Sequence, residues 1–245
     1  MRYHGITLGM ILAALAAPAS ALDFQPSLGV EQANISGTVQ TDAETTVDLK
    51  SDLGLDKSSP VIAGFRIGAG KHSFSFRYVP YGFSGDSTIN RGITFNGRTF
   101  GVNERLHSEV DLKEYAADYR YKLLRTPVAY ASLGVGLNVF DARFDIRSQS
   151  GLNNAQEELT APIPTLGVSA GVSLPLTGLS VNGDLSGIGY GGNRYINADA
   201  NVDYSPLPFV GVKAGYRYRE LKFDVNDTKA DIRLKGPYVA AYVGF

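Results

Sequence analysis

Three histidines, no cysteine and scattered carboxylates are the reactive inventory of this 245-residue chain. His4 lies in an apolar leader, His72 follows a Gly-Lys turn, and His107 is followed directly by Ser108 and Glu109. A hydroxyl nucleophile needs its base within hydrogen-bond reach. Successive residues of an extended strand point to opposite faces, so His107 and Ser108 cannot serve each other there. Asp48, Asp52 and Asp56 recur every four residues beside Leu49 and Leu53, the spacing of a short amphipathic helix within residues 42–59. Three carboxylates could suit calcium, but the EF-hand spacing is absent and a solvated turn explains them. Zero cysteine removes disulfides, thiol catalysis and thiolate metal sites. The expectation is no catalytic residue, no metal and no cofactor.

The remaining charges follow a simpler rule, set by the elements that carry them. Glu114, Asp118, Arg120 and Lys122 alternate with Tyr115, Ala117, Tyr119, Tyr121 and Leu123. A soluble sandwich would not turn four charges toward one core. A strand with lipid on one side and a polar lumen on the other does so naturally. Arg66 alternates with Phe65 and Ile67, Arg77 with Phe76 and Tyr78, Asp199 and Asp203 with Ala198, Ala200 and Val202, and Lys213 and Arg217 with Val212, Ala214 and Tyr216. All ten charges are expected to face a lumen. Opposing residues on the strands around Pro206-Leu207-Pro208 need an even residue sum, which predicts an ion cluster of Asp199 with Lys213 and Arg217.

The same alternation recurs along the chain and predicts about ten antiparallel strands, or eight if the weak segment 179–189 and its partner stay outside the membrane. Gly70-Lys71, residues 124–126, Leu176-Thr177 and residues 206–208 are expected as short turns. Residues 147–161 and 225–230 read as polar outer loops, and Gly191-Gly192 as a hairpin tip. Asn96-Gly97 is a strong hairpin signal. It sets Ile93 opposite Phe100 and Arg91 opposite Val102, so that Ile89, Ile93, Phe95, Phe100 and Val102 share one apolar face of a hairpin above the bilayer. Such a face wants a covering, from another loop or from a ligand.

Arg2, the apolar run from Ile6 to Ala17 and Ala19-Ser20-Ala21 have the order of a secretory leader, cut before Leu22. The division expected is a signal peptide over 1–21 and a barrel over 22–245. The run is too short for a membrane-spanning helix, which needs about 20 residues. Lys plus Arg number 23 against 24 Asp plus Glu, so no basic patch invites nucleic acid. With 28 Gly, 14 Tyr and 12 Phe against no Trp, the composition suits lipid-facing strands.

Val239, Ala241, Val243 and Phe245 share one face, and the chain stops on an aromatic. That ending resembles the assembly signal of bacterial outer-membrane β-barrels, and the whole mature chain resembles the small barrels grouped with the OmpW and OmpX types. The resemblance implies an all-β transmembrane barrel in the outer membrane, lipid as a partner, and recognition of Phe245 and the last strand by the barrel-assembly machinery. It also brings barrel enzymes into view. Lipid A deacylase barrels place one residue between their His and Ser, which 107–108 does not, and omptin-type proteases use an Asp-His pair, whereas no Asp-His or His-Asp dipeptide occurs here. Two roles follow: a small channel for ions or polar solutes, or a plugged structural barrel; surface binding through outer hairpins is the alternative.

Overall fold

The computed structural model describes residues 22–41, 45–149, 153–207, 209–225 and 228–244. Residues 1–21, where a leader is expected, and Pro208 and Phe245 lie outside the described residues. Ten antiparallel staves close on themselves. In chain order the barrel strands are β1 (Leu22–Glu31), β5 (Val61–Ala69), β6 (His72–Thr88), β9 (Arg105–Arg125), β10 (Ala129–Ser148), β11 (Asn154–Leu174), β12 (Leu179–Tyr190), β13 (Asn193–Leu207), β14 (Val210–Val225) and β15 (Thr228–Val243). Each pairs with the next, and β15 returns to β1 with Val239 opposite Val30. The segment 179–190 is a full stave, paired on both edges, which decides ten over eight.

The first stave continues past a break at Gln32 into β2 (Ala33–Gln40), which pairs with the outer half of β15. At the break Gln32 N–H donates to the Pro237 carbonyl at 2.9 Å. A Cβ on Gly236 would lie 1.8 Å from the Gln32 carbonyl oxygen, so only glycine lets the two backbones approach there.

The connections at the end that holds residue 22 and residue 244 are all short, and the two long ones, 41–60 and 89–104, lie at the other; these are the periplasmic and extracellular ends respectively. Among the described residues no helix is long and apolar enough to cross a membrane; the crossing is by strands.

The lipid band has a sharp upper edge. Tyr78, Tyr115, Val139 and Pro162 are opposed in one outward row. The next outward row is Pro80, Lys113, Asp141 and Thr160, and the one above carries Asp111, Arg143 and Glu158. On β9 the band runs from Tyr115 to Leu123, the 9–11 residues or so that a tilted membrane strand needs. β9 has 21 residues and is roughly 70 Å long at about 3.3 Å per residue, so its upper half stands in water.

The interior reverses at the same level. Below it the inward positions are charged, polar or glycine. Above it they are Val79, Tyr81 and Phe83 on β6, Val110 and Leu112 on β9, and Phe140, Phe144 and Ile146 on β10, all buried. Polar side chains can avoid lipid only by facing inward. Above the bilayer water lies outside, and apolar side chains take the inner wall as they would in a soluble barrel.

This reversal corrects two expectations. Residues 147–161 are not an irregular loop: Phe140 pairs with Ala161 and Arg147 with Asn154, leaving only 149–153 between the strands. Residues 225–230 are likewise mostly ladder, with Val225 opposite Thr228. The first stretch keeps the two-residue period, but with the polar Gln156, Glu158 and Thr160 outward.

Two connections fill the extracellular end. The first, 41–60, contains β3 (Val47–Asp48) and β4 (Lys57–Ser58), both paired to β2. The expected amphipathic helix is a single turn, in which Asp52 and Leu53 N–H both donate to the Asp48 carbonyl. Asp48 Oδ1 caps it by accepting from the Lys50 and Ser51 N–H groups, and Gly54, at φ +71°, ends it. Leu49, Leu53 and Leu55 point inward and are buried, which pulls the segment down over the barrel.

The second connection holds β7 (Ile93–Phe95) and β8 (Arg98–Phe100), a separate hairpin turned at Asn96-Gly97 with Ile93 opposite Phe100. β6 stops at Thr88 rather than running on to Asn96. Ile89, Ile93, Phe95 and Phe100 are buried in the barrel's upper core, with the Phe95 ring 6.5 Å from that of Phe144. Val102 does not join them and is 59% exposed. The ladder ends at Phe100 because Asn103 turns to φ +64° and Glu104 Oε2 accepts from Gly101 N–H. The Arg91–Val102 pair therefore does not form; Arg91 instead bonds Asp52 and the Thr46 carbonyl.

Candidate functional site

Within the membrane the lumen contains a polar cavity of about 600 Å³. Its wall runs from Ser173, Gly178, Ser180 and Ser205 near the periplasmic turns up to Arg77, Asp199 and Arg217. The sequence-predicted charges Arg66, Arg77, Asp118, Arg120, Lys122, Asp199, Asp203, Lys213 and Arg217 all line it. Glu114 lies behind them, fully buried.

The roof of the cavity is an ion network drawn from five staves. Arg219, fully buried on β14, meets Glu114 of β9 (Nε to Oε2, 3.0 Å) and Glu31 of β1 (Nη1 to Oε1, 3.3 Å). Its Nη1 also donates to the Tyr81 hydroxyl, which in turn donates to Glu31 Oε2 at 3.3 Å. Arg77 of β6 holds the other oxygen of Glu114 at 2.9 Å. Arg217 joins Glu31 (2.9 Å) to Asp199 of β13 (3.0 Å), and its guanidinium lies 4.4 Å from the Tyr238 ring centre. Alternating signs offset part of the cost of burying this layer, although Arg219 Nε and Nη2, Glu114 Oε2 and Arg77 Nε make no hydrogen bond among the described residues.

The predicted cluster of Asp199 with Lys213 and Arg217 forms only in part. Asp199 is directly opposite Arg217, but Lys213 is opposite Asp203, four residues down the strand. Asp199 also accepts from Asn201 (2.8 Å) and Tyr238 (2.9 Å). Sequence reasoning left Glu31 and Asp184 out of the lumen charges and gave Arg219 no role. Asp184 and Arg219 carry the alternation signal, lying between outward residues on their strands. Glu31 sits at the strand break, where parity gives no guide.

Above this layer the aromatic and aliphatic core described above occupies the lumen. Tyr195 bridges the tiers, with its ring 5.5 Å from Phe140 and its hydroxyl donating to Asn138 Oδ1 at 3.3 Å.

The imidazoles stand elsewhere. His72 lies on the outer wall at the periplasmic interface, 2.6 Å from the Tyr119 hydroxyl. His107 is also on the outer wall, well above the lipid band, where its Nδ1 is 2.9 Å from Asp86 and its Nε2 3.5 Å from Glu109. The hydrogen bond that its imidazolium donates to the Asp86 carboxylate raises the His107 pKa. Ser108 faces inward and is fully buried. The acidic turn at 48–56 is likewise committed, Asp48 to its cap and Asp52 to Arg91.

Among solved structures the fold is similar to the outer membrane protease OmpT from Escherichia coli, with a TM-score of 0.62 and 10% sequence identity, covering 95% of this chain and 99% of that one. Neisserial surface protein A (TM-score 0.42, 14% identity, covering 91% and 97%) and the attachment invasion locus protein Ail of Yersinia pestis (0.43, 12%, covering 92% and 99%) also match. No family model and no curated protein matches the chain. The closed ten-stave wall and its lipid band define a membrane-spanning β-barrel, the fold that OmpT also has.

Proposed function

We propose that this chain is a sealed outer-membrane barrel, a structural and surface-presenting protein rather than a channel or an enzyme. The observation that carries the reading is the two-tier lumen, with the Glu31–Arg219–Glu114 layer and the apolar core stacked above the periplasmic cavity. An ion crossing would have to break buried pairs and then traverse packed Phe and Leu side chains, each of which gains about 1.5–3 kcal/mol from burial. The extracellular half is a folded core rather than a set of loose loops, which suits it to hold the outer turns as a rigid surface for a ligand or partner.

The non-enzymatic part of the reading rests on the two described imidazoles facing away from the lumen and from any buried nucleophile. Export by a leader cut after Ala21, and recognition of Phe245 by the assembly machinery, belong to the same proposal. Single-channel recording of the refolded full-length protein in planar bilayers tests the seal. No resolvable steps are expected; steady ohmic steps from the wild-type protein would overturn it in favour of a small-solute channel.

A further inference from the structure

The upper edge of the lipid band meets different charge on different sides of the barrel. On β13, β14 and β15 the last outward apolar or aromatic residues are Ile196, Tyr218 and Pro237. Directly above them, on the outer wall, come Arg194, then Glu220 and Lys222, then Lys235, Arg233 and Asp231. Both carboxylates are already taken. Glu220, 7% exposed, pairs with Arg194 and accepts from the Tyr218 hydroxyl at 2.8 Å, and Asp231 pairs with Arg233 at 3.1 Å. One row higher Asp224 and Lys229 pair with each other at 3.4 Å. Lys222 and Lys235 are exposed and make no salt bridge to any described residue, so two positive charges stay in excess after every carboxylate on this outer face is counted.

The ladder brings these cations to one place. Arg194 is directly opposite Lys222, and Lys222 is opposite Asp231, which sets Arg233, two residues along β15, on its diagonal. Opposed side chains start about 4.5–5.5 Å apart and diagonal ones about 7–8 Å, so one phosphate is within reach of all three. Each guanidinium gives a single nitrogen to its carboxylate and is 52% or 46% exposed, so both keep donors free. Lys235, opposite Tyr218 and Asn34, carries the patch down to the edge of the lipid band. Beside it on β12 the outward residues are Gly189, opposite Arg194, and Gly187, opposite Ile196, so no side chain crowds that flank. Across the barrel, on β9–β11, the two charged rows above the band hold Lys113 and Arg143 against Asp141, Asp111 and Glu158, with no cationic excess.

We propose that this face is a docking surface for the phosphate-bearing headgroup of an anionic lipid in the leaflet at the extracellular end, with Arg194, Lys222 and Arg233 around the phosphate and Lys235 below it. The patch is continuous with the lipid band, so a lipid whose chains lie along Tyr216 and Ala198 presents its headgroup at this height without leaving the bilayer. Charge sets the class of headgroup. A zwitterionic lipid carries its own cation, whereas an anionic one is attracted by each nearby Lys and Arg and can take the charge-assisted hydrogen bonds that the arginines leave free. The docking surface is independent of whether the lumen is sealed.

The test uses the absence of Trp from the chain, which makes an introduced indole the sole reporter. Tyr216→Trp sets it in the lipid band below the patch, and Tyr115→Trp sets it at the top of the band on β9. The full-length barrel is refolded into vesicles of phosphatidylcholine and phosphatidic acid, with bromine on the chains of one lipid or the other as quencher. Phosphatidic acid is expected to be enriched about fivefold or more around Tyr216→Trp and not around Tyr115→Trp. Adding Lys222→Gln and Lys235→Gln should abolish the enrichment, and adding Lys113→Gln should leave it unchanged. Equal quenching of Tyr216→Trp by the two brominated lipids, or enrichment that survives in the folded lysine variant, overturns the proposal. Loss of enrichment on adding inorganic phosphate at matched ionic strength would assign the site to a free oxyanion and overturn the lipid assignment. The comparison of the two reporters needs neither lysine variant, so it decides the matter even if that variant does not fold.

Discussion

Replacing Arg219 by methionine tests whether the layer above the cavity is dry. The side chain is fully buried, and its guanidinium touches Glu31, Glu114 and Tyr81. Methionine keeps the length and apolar stem but removes the charge, leaving Glu31 with Arg217 and Glu114 with Arg77. Removing one partner of a buried ionic group typically costs about 3–5 kcal/mol. Each orphaned carboxylate keeps one cation here, so the lower end, about 3 kcal/mol, is expected. Arg66→Met is the control, because its pair with Asp23 is about two-fifths exposed near the mouth and is worth roughly 0–1 kcal/mol. The assay is urea unfolding in lipid vesicles followed by tyrosine fluorescence. Adding Glu114→Gln to Arg219→Met should recover part of the loss, since the orphaned charge goes with it, and the double-mutant cycle measures that coupling. Equal losses for Arg219→Met and Arg66→Met, with no coupling to Glu114, would mean that water reaches the layer, and the reasoning about a closed roof would fail.

Other consequences can be checked separately. A Cβ on Gly85 would lie 2.3 Å from the Gly54 backbone, so Gly85→Val should lift the first loop off β6 and expose 41–60 to added protease while the membrane part stays folded; an uncut variant would contradict that crossing. Phe100→Asp should likewise open the hairpin at Asn96-Gly97, because it places a charge in the upper core, and wild-type protease resistance would show that the hairpin does not seal the barrel. Asp86 favours the imidazolium of His107, so the stabilisation from that pair is present below the ordinary histidine pKa of about 6.5 and fades as pH rises through the raised value. An NMR titration should find the His107 midpoint above that of Asp86→Asn, and identical midpoints would remove the interaction. Deleting Phe245 should lower the yield of heat-modifiable barrel without blocking export, and undiminished yield would show that assembly reads another feature.

The sequence by itself determined the staves and their inner and outer faces within the bilayer. Lipid permits one chemistry outside, and a two-residue period then leaves only the lumen for Arg77, Asp118 or Arg217. Parity also limited the hairpin registers, as the even sums of Asp199 with Arg217 and of Asp203 with Lys213 show. Above Tyr115 lipid no longer sets the chemistry of the outer face. The period persists there, but water lies outside, so Phe140, Phe144 and Ile146 face inward and the alternation changes sense; read for lipid-facing residues, 147–161 looked like a loop. Tertiary structure alone decided who meets whom across the lumen. Arg219, Glu31 and Glu114 come from β14, β1 and β9, and no local register relates them; the curvature that closes ten strands brings them together. It also decided that 41–60 and the Asn96-Gly97 hairpin fold over the barrel, because their leucines and phenylalanines gain more from the apolar upper lumen than from water. Whether a charged lumen conducts or is stoppered therefore depends on contacts between segments far apart in the chain.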